Sequence, residues 1–278
     1  MTFGLSTRNI FKKHIALPQD HGSWVFLLSP MIIGIFAGGR ISLATGIMIL
    51  SAFSAFFIRQ PITIAVKIFS GRRSKRDLTA AVFWAAIYGI LMLLGLVGLA
   101  YYGYSYVLLL AVPGIPVFAW YLWLVNKRSE RRQVGVEIVA SGVLALTAPA
   151  GYWIGLAIYD PVGWLLFLLT WLQSAASIVY AYLRLNQREL SDIPDFTIRL
   201  SMGRRALLYS SFNLILVFIL SITDKVPALL PIPYAVQWIE TVWGTLKPAI
   251  GVKPTIIGVR QLIISTIFTI LFIVFWGI

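Results

Sequence analysis

Between Asp77 and Lys127 the chain carries no charged residue. A segment of that length has no polar face to offer water, and it can cross a bilayer twice at about 20 residues per crossing. The rest of the chain repeats the pattern. Only 12% of its 278 residues are charged and 59% are hydrophobic, whereas soluble domains carry about 25% charge. In hydrocarbon each backbone N–H and C=O must be paired internally, which long apolar runs achieve as helices. The runs between charges and turn residues predict an all-α polytopic membrane helical bundle of about nine transmembrane helices. They cover residues 23–38, 41–58, 78–100, 104–125, 134–157, 161–183, 205–222, 226–246 and 255–277. Gly38-Gly39-Arg40 joins the first two as a short hairpin. The eighth is the least regular, because Pro227, Pro231 and Pro233 crowd its start and Glu240 lies inside it. Eight spans plus an interfacial segment is the other reading.

The basic residues test this map. Arg8, Lys12 and Lys13 precede the first helix, and Arg59, Lys67, Arg72, Arg73, Lys75 and Arg76 fall between the second and third. Lys127, Arg128, Arg131 and Arg132 separate the fourth and fifth. Arg184, Arg188, Arg199, Arg204 and Arg205 lie between the sixth and seventh, and Lys247, Lys253 and Arg260 between the eighth and ninth. Of the 23 basic residues the alternate connections hold only Arg40 and Lys225. Connections rich in Lys and Arg stay in the cytoplasm, so the N-terminus is expected to be cytoplasmic and the C-terminus outside. Residues 1–22 then form a cytoplasmic N-terminal segment, and 23–278 a single transmembrane helical domain. This dispersal argues against nucleic acid as a partner despite the formal charge of +13. No cleavage-like site follows a short apolar core near the start, so no secretory signal peptide is read. The absence of cysteine excludes disulfides and thiolate chemistry, and with two histidines a zinc site is not expected.

The stretch "FFIRQPITIAVKIFSGRRSKRD" (56–77) joins an anchor to a candidate site. Clusters such as Arg72–Arg76 are attracted to anionic headgroups at about 1 kcal/mol per cation, which explains them by topology. Arg59 and Lys67 differ. Gln60-Pro61 is expected to break the second helix beside Arg59, and a short re-entrant helix over 61–70 would turn Arg59 and Lys67 toward the mouth of the bundle. Charges placed there are costly to desolvate and are functional candidates. Asp20 beside His21 is either an acid–base pair at the membrane mouth or a helix-start motif. Glu137 begins the fifth helix within reach of Arg131 and Arg132, where a salt bridge or the helix dipole accounts for it. Glu240 is expected to face the bundle interior or the outer mouth. Gln173, Ser174 and Ser177 share a face suited to interhelical hydrogen bonds, and the tryptophans fit an aromatic belt.

Two resemblances follow from local phrases. "SPMIIGIFAG" (29–38), "VGVEIVASGVLALTAPAGYWIG" (134–155) and "AYLRLNQRELSDIPDFTIRLSMGRRA" (181–206) resemble the opening helix, fifth helix and post-helix-6 segment of the UbiA superfamily of intramembrane prenyltransferases. A closer resemblance is to the YwiC-like family of bacterial membrane proteins. It rests on "LPQDHGSWVFLLSP" (17–30), "IRQP" with its following Lys67, "GRRSKRD" (71–77) and "VYAYLRL" (179–185). The resemblances imply a UbiA-like bundle in the bacterial cytoplasmic (inner) membrane and supply no reaction. The prenyltransferases hold Mg²⁺ on two Asp-rich motifs after helices 2 and 6. Here the first place reads Arg59-Gln60-Pro61 with Lys67, and the second reads Tyr180-Ala181-Tyr182-Leu183-Arg184. Glu189, Asp192 and Asp195 follow, but Pro194 interrupts a common helical face. A paired Mg²⁺ site is therefore not expected, and no other cofactor is. Arg and Lys bond phosphate directly.

These observations predict a cytoplasm-facing basic mouth that binds an anionic lipid or phosphorylated isoprenoid. Its residues are His21, Arg59, Lys67, Arg72, Arg73, Tyr180 and Arg184, supported by Asp20 and Glu137. Whether the protein catalyses a prenyl-type transfer stays open. A transporter would need a polar path through both leaflets, yet the outer connections are nearly uncharged. A non-catalytic assembly protein would use the basic connections to dock partners.

Overall fold

The computed structural model describes residues 12–18, 23–129 and 133–277. Among these the chain is all-helical and polytopic. Seven segments are long and apolar enough to cross a membrane: Leu43–Phe69, Lys75–Tyr101, Ser105–Asn126, Val134–Leu156, Val162–Gln187, Phe196–Ile222 and Pro254–Trp276. The apolar helix Ser23–Ala37 has 15 residues and Pro231–Leu246 has 16. The chain divides into two compact units, Met1–His21 with Ile41–Val136, and Gly22–Arg40 with Glu137–Ile278.

The first unit contains α1 (Lys13–Ala16), α3 (Leu43–Phe69), α4 (Leu78–Tyr101) and α5 (Gly114–Asn126). A capping box starts α3, in which the Ser42 N–H donates to Thr45 Oγ1 at 3.1 Å. α3 and α4 approach closely at Gly95, where a Cβ would lie 1.9 Å from Ser51 Oγ. The short α1 seals one end of this pair. Ile15 is fully buried among Ile64, Ile68, Ala80 and Ala81. Gln60 Nε2 donates to the His14 carbonyl at 2.9 Å, and the Tyr88 hydroxyl to the Ala16 carbonyl at 3.1 Å.

The second unit contains α2 (Ser23–Ala37), α6 (Val134–Ala145) from Glu137 onward, α7 (Thr147–Leu156), α8 (Val162–Gln187), α9 (Phe196–Ile222), α10 (Pro231–Leu246) and α11 (Pro254–Trp276). Small residues let α2 and α7 touch backbone to backbone, as membrane helices do when dispersion replaces the hydrophobic drive. A Cβ at Gly34 would fall 2.1 Å from the Ala148 carbonyl oxygen, and one at Gly155 would fall 2.7 Å from Gly38 Cα.

Proline accounts for most departures from the expected boundaries. The expected break at Pro61 does not occur, and α3 runs unbroken from Leu43 to Phe69, so there is no re-entrant helix over 61–70. The Thr63 hydroxyl donates to the Arg59 carbonyl at 2.6 Å, adding a bond in the turn that proline weakens, and Pro61 is buried against its neighbours. Pro149 acts in the opposite way. A proline ring crowds the carbonyl four residues before it, and the expected 134–157 helix divides at Leu146 into α6 and α7. The expected 104–125 helix opens as a 3₁₀ segment, Ser105–Ala111, before Pro113 and α5. α9 begins at Phe196, not 205, because Arg199, Arg204 and Arg205 interrupt the apolar run without interrupting the helix.

Candidate functional site

One face of α8 is polar through most of its length. Gln173, Ser177, Tyr180, Arg184 and Gln187 recur every three or four residues and are buried. On α10, Gln237, Glu240 and Gly244 recur in the same way. The two stripes meet. Gln173 Nε2 donates to Gln237 Oε1 at 3.1 Å, and the Tyr180 hydroxyl donates to Glu240 Oε1 at 2.7 Å. Gly244 is required at this crossing, since a Cβ there would lie 2.2 Å from the Tyr180 hydroxyl oxygen. Arg184 Nη1 donates to Gln187 Oε1 at 2.9 Å and to the carbonyls of Gly244 and Lys247 at 2.7 and 2.6 Å. It thereby supplies donors to the open carbonyl end of α10, which a cation also favours electrostatically.

α11 completes the group. Arg260 forks onto Glu240, Nε to Oε1 at 2.6 Å and Nη2 to Oε2 at 2.8 Å. Its guanidinium lies 3.6 Å from the centre of the Trp243 ring, and that of Arg184 lies 5.3 Å from the same centre. Gln261 Nε2 ties α11 to α8 through the Ser177 carbonyl and hydroxyl, both at 2.7 Å. A cavity of about 140 Å³ opens among these groups, lined by Tyr180, Arg184, Trp243, Arg260 and Gln261 with an apolar wall including Ile256 and Ile257. It sits where α8 and α10 end and α11 begins. The connections at that end are joined by the Gly251 N–H donating to the Arg188 carbonyl at 3.3 Å.

The expected site residues distribute between the two units. Tyr180, Arg184 and Glu137 belong to the second, and the first two meet at the cavity. Glu137 is exposed and accepts from the Tyr182 hydroxyl at 2.5 Å. Arg59, Lys67, Arg72 and Arg73 belong to the first. There Arg59 is half-buried, 5.1 Å from the centre of the Tyr121 ring, and Arg72 Nη2 donates to the Val125 carbonyl one turn further along α5. Arg73 pairs with Asp77 at 2.9 Å, and Lys12 with the same carboxylate at 3.0 Å. Lys67 is half-buried in the last turn of α3. Asp20, His21, Arg131 and Arg132 lie outside the described residues. Glu189, Asp192 and Asp195 are exposed in the non-helical connection 188–195. Among the described residues no three His, Asp or Glu side chains gather as a metal-binding group.

Arg260, Trp243, Gln187 and Gln261 were not expected at a site. A signal existed for one of them. Glu240 is the lone charge in α10 and Arg260 the lone charge in α11, and two such opposite charges in successive apolar helices have reason to pair.

The model of the family described as YwiC-like protein matches residues 17–152. Over that stretch the chain is similar to that family. No curated protein and no solved structure matches it. The YwiC-like stretch holds Arg59, Lys67, Arg72, Arg73 and Glu137, whereas Tyr180, Arg184, Glu240 and Arg260 lie beyond its end.

Proposed function

We propose that this YwiC-like multi-pass membrane protein binds an anionic or phosphorylated lipid or isoprenoid by its head group, at a basic mouth on the cytoplasmic side of a bacterial inner membrane. The reading keeps the UbiA-like arrangement as its working fold, with residues 1–22 cytoplasmic and 23–278 embedded. Binding is what it assigns; a transfer reaction is not part of it. The observation that carries it is the cavity of the second unit, where Arg184 and Arg260 present guanidinium groups beside Tyr180 and Trp243. Guanidinium N–H groups match the oxygens of phosphate and carboxylate, and in a site partly withdrawn from water these bonds are stronger than at a surface. Arg59, Lys67, Arg72 and Arg73 of the YwiC-like stretch, with His21, are proposed from the sequence as further head-group-binding residues.

The test is native mass spectrometry of the protein purified in neutral detergent. A selectively retained anionic or isoprenoid lipid is expected, lost in Arg260→Gln and reduced in the paired Arg59→Ala, Lys67→Ala variant. If no such lipid is retained, or its retention is the same in all three proteins, the reading fails.

A further inference from the structure

The charges around the cavity distinguish among the ligands that the binding reading admits. Glu240 accepts from Arg260 Nε, Arg260 Nη2 and the Tyr180 hydroxyl, and it donates to none of them. That is the bonding of an ionised carboxylate. It balances Arg260. Arg184 bonds only to uncharged partners, the Gln187 amide and the carbonyls of Gly244 and Lys247. Among the described residues no carboxylate pairs with it, although it is only 6% exposed. The two guanidinium groups of the cavity lining and the carboxylate bonded to one of them from behind carry a net charge of one, against the apolar wall of Ala181, Val252, Ile256 and Ile257. Lys247 and Lys253 stand exposed on the neighbouring connection, where water and salt screen them.

A buried charge without a counterion is costly, and an arriving anion relieves that cost only if the charges cancel. One negative charge brings the cavity to neutrality; two overshoot it. We infer that Glu240 makes this cavity selective for a singly charged oxyanion, the phosphodiester of a lipid head group, over a phosphomonoester or diphosphate. This rests on the binding reading above and narrows it. A cavity of about 140 Å³ has room for about four or five waters at ~30 Å³ each. That suffices for a phosphate with its ester carbons and leaves the rest of the molecule outside.

Hexadecyl methyl phosphate and hexadecyl phosphate share one chain and differ in charge at pH 8, since the second ionisation of a phosphate lies near pH 6. Each is added to the full-length protein in neutral detergent, and the retained fraction is measured. The wild type is expected to hold the methyl ester about tenfold better. Glu240→Gln raises the cavity to two positive charges and reverses the order. Arg260→Gln leaves no net charge and loses both probes. The double variant returns to one positive charge and regains the wild-type order. Because it removes both partners of the pair, it also carries the test should Glu240→Gln alone not fold. Glu240→Asp keeps the charge and the order. Hexadecyl phosphate held as well as its ester by the wild type overturns the inference, as does an order unchanged in a folded Glu240→Gln variant, or one reversed in the double variant. A wild type that holds neither probe overturns the binding reading itself. Dimethyl phosphate added as competitor separates the sources: displacement of the ester assigns the cavity to a soluble diester, no displacement to a lipid, and either upholds the charge rule.

Discussion

Arg184 joins two tasks that a smaller residue cannot combine. From Nη1 alone it reaches a glutamine and two carbonyls at the end of α10, and the rest of its guanidinium borders the cavity. Truncation removes three bonds from a charged donor and leaves the Lys247 carbonyl without that partner. Arg184→Ala is therefore expected to destabilise the protein by about 3 kcal/mol, a fall in Tm of roughly 6–12 °C in detergent. Arg184→Lys should recover little of it, because an ammonium is a single point and cannot hold the fork's geometry. A thermal scan in which both variants match the wild type would show that the bonds contribute nothing. Arg184 and Tyr180 drew attention in the sequence because they fall in the phrase that resembles the segment where UbiA-type prenyltransferases keep metal-binding acids. Trp243 was not, since one tryptophan among ten reads as part of an aromatic belt. Only the fold places Arg260 3.6 Å from its ring centre.

At the scale of elements, Arg59 and Lys67 change meaning once α3 is seen to be continuous. They belong to one helix that runs unbroken through Pro61 between them, and Arg59 reaches Tyr121 from its side. Spin labels at Ala55 and Phe69, exposed positions nearly in line on that helix, should stand about 21 Å apart at 1.5 Å per residue. A separation under about 15 Å would mean that the chain turns back at Pro61. That the chain is built of long apolar helices was legible because hydropathy reports the thickness of the hydrocarbon. The ends were not. The helix is interrupted before Pro149 but runs on through Pro61, where a threonine hydroxyl and tight packing support the turn. Nothing in a single sequence distinguishes the two. The start of α9 was hidden for another reason: Arg199, Arg204 and Arg205 are compatible with a helix but not with an apolar run.

For the whole molecule, two short helices determine the topology. The 15 residues of Ser23–Ala37 and the 16 of Pro231–Leu246 extend roughly 23 Å, less than the roughly 30 Å hydrocarbon layer. If both cross, by local thinning or support from neighbours, the seven long segments become nine. If neither does, they stay seven, and the termini again lie on opposite faces. If only one crosses, the termini share a face. The positive residues favour nine, since that number alone leaves just Arg40 and Lys225 outside. The chain has no cysteine, so single cysteines report without background. A membrane-impermeant maleimide applied to intact cells should label cysteine at Arg40 and Lys225, and should label it at Lys75, Lys127 and Lys253 only after the membrane is opened. Labelling at Lys225 and Lys253 from the same side would take α10 out of the membrane. The cavity between Arg184 and Arg260 would then border an interfacial helix, and its ligand would approach from the headgroup layer, not from between spanning helices.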